Sequence, residues 1–93
     1  MEPSGSVRVP LGRTVATPAA LAAVSPLDIA AALRRHASGD WGDVDPDDRA
    51  VNDDALRSGE RLLSVYRSAN GVTFWVLTEA DRSATTVLLP DDY

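Results

Sequence analysis

The side chains of this sequence that could carry acid–base or phosphate chemistry are a single histidine and a small set of arginines. His36 is the only histidine, so any imidazole chemistry has to use it. Arg61, Arg67 and Arg82 could bind a phosphate if they converge on the sheet or at its rim. Arg61 and Arg67 are six residues apart, which places them on one face of a regular strand.

Each of these residues also has a structural interpretation, which we favour. A protonated His36 near a helix C-terminus gains favourable charge–dipole energy. The arginines can pair with the neighbouring carboxylates of Glu60, Glu79 and Asp81. The sequence has no Ser–His–Asp order, no glycine-rich phosphate loop and no HExxH motif. It therefore favours a protein that is not an enzyme, and we expect neither a cofactor nor a bound metal ion.

The most unusual short string is Gly39-Asp40-Trp41-Gly42, in which two glycines flank a large aromatic residue. Trp41 either fills a gap between helix and sheet, which we favour, or is exposed and anchors a partner protein or a stacked base. The second interpretation makes Trp41 a candidate binding residue.

Aspartates are concentrated directly after this string. Four of them match positions 1, 3, 5 and 12 of a calcium-binding loop: Asp43, Asp45, Asp47 and Asp54. Position 6 of that loop should be glycine but is Asp48, and Pro46 begins a helix within it. We therefore favour helix capping and a solvated acidic face. Asp43, Asp47 and Asp48 are candidate binding residues, because an acidic surface steers association toward a basic partner.

Three proline-containing starts predict three helices in the first two thirds of the chain. The starts are Thr17-Pro18, Ser25-Pro26 and Asp45-Pro46, each a capping residue followed by proline. The helices should end near Val24, near Ala37 and at Ser58-Gly59. The third helix has four apolar residues: Ala50, Val51, Ala55 and Leu56.

Beyond Glu60 the apolar period changes from 3.6 to 2, which predicts strands. Leu63 and Val65 share one face of the first strand, and Leu62, Ser64 and Tyr66 share the other. Asn70-Gly71 predicts a hairpin turn into a strand over 72–79, and a third strand should cover 84–89. A short edge strand near Val7–Val15 would complete the sheet and leaves homodimerisation open.

These elements predict an α+β fold with two to three N-terminal helices packed on a three- to four-stranded antiparallel sheet. The first six residues have the composition of a flexible tail, and residues 7–93 should form a single domain. The chain has 93 residues, nine arginines and no lysine against 14 acids, and a net charge of −5. Nucleic-acid binding is therefore not expected. Without cysteine, a membrane span or a signal peptide, a cytoplasmic protein is expected.

Several motifs resemble a small bacterial family labelled "hypothetical" or "plasmid-related", which occurs on plasmids and integrative elements. The resemblance covers about residues 11–93 and is carried by Gly39-Asp40-Trp41-Gly42, Ala55-Leu56, Gly59, Arg61-Leu62-Leu63-Ser64, Tyr66 and Thr78-Glu79-Ala80-Asp81-Arg82-Ser83. The resemblance implies a mobile-element setting and brings no established activity. Our first hypothesis is accordingly an accessory protein that binds another protein with a basic surface, for example to modulate a nucleic-acid enzyme or a defence system.

The order of elements is also similar to that of RelE-like messenger-RNA interferases. This similarity implies that Arg61, Arg67 and Arg82 bind phosphate and that His36 or Tyr66 handles protons. Such toxins are usually basic, and the net charge of −5 counts against them. An RNA-cleaving enzyme is the alternative hypothesis.

Overall fold

The computed structural model describes residues 7–93, and the expected N-terminal tail lies outside the described residues. The α+β fold is confirmed, with three helices that precede a three-stranded meander in the chain. The elements are β1 (Arg13–Ala16), α1 (Pro18–Ala23), α2 (Pro26–Ala37), α3 (Pro46–Ser58), β2 (Leu62–Arg67), β3 (Thr73–Thr78), β4 (Ala84–Leu88) and a 3-10 turn (Pro90–Asp92).

The three helices begin where the capping residues predict. The side chains of Thr17, Ser25 and Asp45 each accept a hydrogen bond from a backbone N–H in the first turn of the helix that follows. A proline follows each cap, where its missing N–H costs no helical hydrogen bond. α3 ends at Gly59, whose left-handed backbone (φ 79°) closes the helix.

The sheet has the strand order β1-β4-β3-β2 and is mixed rather than antiparallel throughout. β2, β3 and β4 form the predicted antiparallel meander. The prediction was wrong for β1, which runs parallel to β4 with Val15 beside Thr86. A parallel pair needs a long crossover connection, and the helices and the other strands between β1 and β4 supply it.

The segment before β1 is not the strand that was expected from Val7 onward. Only Arg13–Ala16 pairs with the sheet. The backbone N–H groups of Arg8 and Val9 both donate to the carbonyl of Ala37 at the end of α2, and the Val9 side chain is fully buried. This segment is therefore anchored to a helix rather than to a neighbouring strand.

Two apolar clusters form the core on the helix-covered side of the sheet. The larger contains Ala20, Val24, Ala32, Tyr66, Phe74, Val76 and Val87. The smaller contains Val9, Trp41, Ala55 and Leu62. Between Val7 and Tyr93, no helix combines the length and apolar character needed to cross a bilayer.

Candidate functional site

The residues singled out by the sequence fall into two groups: a loop and helix beside the outer edge of β2, and side chains distributed over the rest of the molecule. The loop joins α2 to α3 over residues 38–45 and is tied to α3 by Trp41. Trp41 lies inside it and is only 3% exposed. Its indole Nε1 donates to the Asp53 carboxylate over 2.9 Å, and its ring meets the His36 ring edge-on at 5.6 Å. Trp41 therefore packs between helix and sheet and is not an exposed anchor.

Asp40 holds the loop to α2 and to the sheet. Its carboxylate accepts a 2.8 Å hydrogen bond from Arg35 Nε, which lowers the pKa of the Asp40 carboxyl group. The Arg35 guanidinium in turn lies 4.8 Å above the Tyr66 ring. The Tyr66 hydroxyl donates to the Asp40 carbonyl, and burial raises the pKa of that hydroxyl well above its usual value.

Gly42 brings the loop backbone against β2. A Cβ at this position would lie 2.0 Å from the carbonyl oxygen of Val65, so only glycine fits. The close approach allows Val65 to donate its N–H to the Trp41 carbonyl and to accept from the N–H of Asp43.

Asn52 of α3 forms hydrogen bonds with the backbone of Leu63, which lies two residues before Val65 on the same edge of β2. Its Nδ2 donates to the Leu63 carbonyl over 2.7 Å, and its Oδ1 accepts from the Leu63 N–H over 3.2 Å. One side-chain amide thus makes the two hydrogen bonds that a neighbouring strand would make. Sequence reasoning missed Asn52, although it lies three and four residues before the apolar pair Ala55 and Leu56 and so on their helix face.

The remaining surface of α3 is acidic and exposed. Asp43, Asp47 and Asp48 all face solvent. Asp45 caps the helix through the Asp48 N–H, and Asp47 and Asp48 lie in its first turn, where the helix dipole favours carboxylates. No group of three or more potential ligands is placed to hold a metal ion in residues 7–93.

A small groove separates α3 from β2 beside these carboxylates. It has a volume of about 240 Å³ and lies between Val44 and Val51 on one side and Leu63 and Val65 on the other. Asp48 and Arg61 lie at its polar rim. The sequence pattern counted Val51 among the apolar residues of α3, but its side chain is 63% exposed, because Asn52 and Ala55 occupy the buried face instead.

The two candidate proton-transfer residues are buried away from this groove. His36 is fully buried, with Nδ1 2.6 Å from Ser64 Oγ and Nε2 2.8 Å from Thr78 Oγ1. Burial, with a smaller contribution from the charge of Arg82, lowers the pKa of His36 to about 4. Tyr66 is 2% exposed. Neither side chain can reach a bound substrate in this arrangement.

The three candidate phosphate-binding arginines do not converge. Arg61 precedes β2 and donates to the Tyr93 hydroxyl, whereas Arg67 is the last residue of β2, roughly 20 Å further along the strand. The Arg82 guanidinium donates to the backbone carbonyls of Glu60, Glu79, Ala80 and Ala55. Arg82 thus joins the β3–β4 turn to the end of α3, and the expected carboxylate pairs of these arginines are not formed among the described residues.

The loop, α3 and the β2 edge therefore form one continuous surface, in which the apolar groove is bordered by Asp48 and Arg61 and lies beside the exposed Asp43 and Asp47. The groove can hold an apolar side chain. Comparisons with known proteins found no relative of this chain: no family model, no curated protein and no solved structure matches it.

Proposed function

We propose that this protein is a small acidic accessory protein of a mobile genetic element that acts in the cytoplasm by binding another protein. The partner contacts the groove between α3 and β2 through a segment that carries positive charge around one small apolar anchor. The mobile-element setting rests on the motif resemblance, and the mode of action rests on the groove and the charges around it.

The observation that carries the proposal is the exposure of Val51 in a groove that lies beside exposed carboxylates. A single exposed valine is ordinary on a protein surface. Val51, however, lines a groove with Val44, Leu63 and Val65, so its side chain is one wall of a concave apolar surface. Binding energy in interfaces concentrates in such central apolar contacts, with polar groups at the rim.

The charges around the groove favour a basic partner. Asp43, Asp47 and Asp48 are exposed and outnumber the exposed cations beside them, Arg49 and Arg61. A third cation, Arg57, is paired with Asp54 over 2.6 Å. The whole chain carries a charge of −5, so its long-range field also repels polyanions. A nucleic acid is therefore the wrong class of partner for this surface.

The size of the groove argues for an anchor side chain rather than a small-molecule ligand. Its volume of about 240 Å³ is below the roughly 300–1,000 Å³ that is typical of small-molecule sites. One aliphatic side chain of a partner segment fits this space. The RNA-cleaving alternative has no observation in its favour, since its candidate residues are buried or separated.

A labelled peptide with a leucine between arginines, titrated into the protein and followed by fluorescence anisotropy, tests the proposal. We expect Val51→Ser to weaken binding by roughly tenfold, since it removes apolar contact area. Neutralising Asp47 and Asp48 together, as Asp47→Asn/Asp48→Asn, should weaken binding and reduce its salt dependence.

Two matched variants serve as controls. Leu27→Ser removes an apolar side chain of α2 that is 83% exposed, and Glu79→Gln/Asp91→Asn neutralises two exposed carboxylates of the β3–β4 turn and the C-terminal turn. If these controls weaken peptide binding as much as the α3 variants do, the groove is not the binding surface. Binding of a single-stranded RNA in preference to the peptide would also overturn the proposal.

A further inference from the structure

The two edges of the sheet differ in how they are covered. The outer edge of β2 is paired at Leu63 with the Asn52 amide and at Val65 with the loop that contains Trp41. The outer edge of β1 has no hydrogen-bonding neighbour among residues 7–93, and Arg13, Thr14 and Val15 are exposed there. An uncovered edge is a template for pairing with another strand.

The hydrogen bonds between β1 and β4 show which backbone groups of β1 remain available. Arg13 donates its N–H to the carbonyl of Ser83, directly before β4, and Thr17 donates to the carbonyl of Val87 in β4, each over 2.9 Å. Backbone groups alternate in direction along a strand, so Val15 also faces β4. The N–H and C=O groups of Thr14 and Ala16 therefore point away from the sheet.

We propose that β1 pairs antiparallel with β1 of a second copy of this chain, about a twofold axis at Val15. In this register, Thr14 of each copy lies opposite Ala16 of the other, and the pair exchanges four backbone hydrogen bonds. Val15 faces its own counterpart on the axis as a non-hydrogen-bonded pair, in which side chains approach most closely. The two four-stranded sheets become one sheet of eight strands.

The side chains on the sheet face opposite the two core clusters support this register. Val15 is paired with Thr86, Thr86 with Leu77, and Leu77 with Leu63, so these four residues form a row across the strands. The row ends at Val15, which is 38% exposed. Contact between two Val15 side chains joins the rows of both copies and covers that exposed end.

Charge complementarity favours a second copy of this chain as the partner of β1. Arg13 of one copy lies opposite Thr17 of the other, and the Thr17 hydroxyl donates to Asp92 Oδ2 over 2.7 Å. This hydrogen bond lowers the pKa of Asp92, so its carboxylate is charged at neutral pH. Each Arg13 thus meets a carboxylate across the axis, and no two like charges oppose each other. Such a surface pair orients the contact more than it strengthens it.

This edge lies at the opposite side of the sheet from the α3 groove, because β1 and β2 are its two end strands. The pairing therefore leaves both grooves of the dimer open. Failure of either proposal leaves the other intact.

Single-cysteine variants test the pairing, since the chain has no cysteine of its own. Val15→Cys places two sulfur atoms on the axis. Arg13→Cys, on the same face of β1, places them four residues apart along the paired strands, because each Arg13 lies opposite Thr17. In a glutathione redox buffer, we expect Val15→Cys to form the disulfide-linked dimer at least tenfold faster than Arg13→Cys, because pairing raises the effective thiol concentration. Equal rates would overturn the proposal.

Hydrogen exchange of the unmodified protein provides a second test that does not depend on a variant. At two protein concentrations roughly hundredfold apart, the amides of Thr14 and Ala16 should gain protection with concentration. The amide of Val15 already faces β4 and serves as the internal control. Unchanged exchange at Thr14 and Ala16, with a monomer mass by sedimentation equilibrium at both concentrations, would contradict the second copy as occupant.

Discussion

The hydroxyl groups around His36 form a buried chain of hydrogen bonds, and the bond at one end determines the donor and the acceptor of every other bond. Thr85 Oγ1 donates to the Leu11 carbonyl over 2.7 Å, so it accepts from Thr78 Oγ1. The Thr78 oxygen then accepts from His36 Nε2–H, which leaves Nδ1 unprotonated to accept from Ser64. A second proton on the imidazole would force the Ser64 hydroxyl to turn and give up its hydrogen bond to Nδ1, so this arrangement favours the neutral ring.

The free energy of unfolding should consequently decrease as the pH falls from 6.5 to about 4, the two pKa values of His36 in the unfolded and folded chain. Its pKa is lowered from 6.5 to about 4, chiefly by burial, so the unfolded chain binds the proton first. The free energy of unfolding is then highest above pH 6.5 and declines by about 1.4 kcal/mol per pH unit down to pH 4, roughly 3 kcal/mol in all. Urea unfolding at several pH values measures this decline.

His36→Gln provides the control, because glutamine can still form hydrogen bonds but does not titrate. Its unfolding free energy should be lower at neutral pH and nearly flat over the same window. Aspartates with lowered pKa, such as Asp40, contribute mainly at lower pH, since carboxyl groups of unfolded chains titrate near pH 4. An equal slope in both proteins would show that His36 does not cause the decline.

The sequence could identify His36 as a residue of interest but not its environment. Its place in the last turn of α2 was predicted, yet its partners Ser64 and Thr78 come from β2 and β3. The available signal was the polar Ser64 between Leu62 and Tyr66 on the inward face of β2. A buried hydroxyl requires a partner, but the sequence does not show which distant residue supplies it.

At the scale of elements, α3 differs from an ordinary amphipathic helix because its buried face contains an asparagine. The capping residue Asp45 and the stop at Ser58-Gly59 predicted its bounds correctly. The pattern could not show that Asn52 rather than Val51 faces inward. Asn52 faces inward because it forms hydrogen bonds with the backbone of Leu63, and a hydrophobic pattern contains no information on backbone groups.

Replacing Asn52 should both destabilise the protein and expose the edge of β2. Asn52→Ala leaves the N–H and C=O of Leu63 unpaired, which we expect to cost about 2–4 kcal/mol in unfolding free energy. Chemical denaturation measures this cost, and light scattering at high concentration measures association through the freed edge.

Asn52→Asp is the informative comparison, since it has the same shape and retains the acceptor for the Leu63 N–H. It replaces the donor with a carboxylate oxygen that faces the Leu63 carbonyl oxygen at a buried position, so at neutral pH it should be at least as destabilising as Asn52→Ala. If both variants were as stable as the wild type, the amide would not be acting in place of a strand.

At the scale of the whole molecule, the segment before β1 completes the smaller apolar cluster. Val9 packs there with Trp41, Ala55 and Leu62, which come from the loop, α3 and the start of β2. The meander was predictable because its turns are local in sequence. The position of Val9 and the parallel direction of β1 were not, because both depend on contacts between distant parts of the chain.

Truncation of Val9 should therefore weaken the molecule far more than truncation of its near neighbour Val7. Val9 is fully buried and Val7 is 74% exposed. We expect Val9→Ala to lower the unfolding free energy by about 2 kcal/mol, from lost apolar burial and the cavity that remains. Val7→Ala should stay within about 0.5 kcal/mol of the wild type. Similar losses for both variants in urea unfolding would show that this segment is not part of the core.

The parallel pairing of β1 with β4 has a consequence during synthesis on the ribosome. The partner of Arg13 is Ala84, which is added 71 residues after it (84 − 13). At a translation rate of about 5–20 residues per second, the partner strand β4 is synthesised roughly 4–14 s after β1. During this interval a newly made β1 has both edges open, so the order of translation exposes this strand to other chains for longer than any other strand of the sheet.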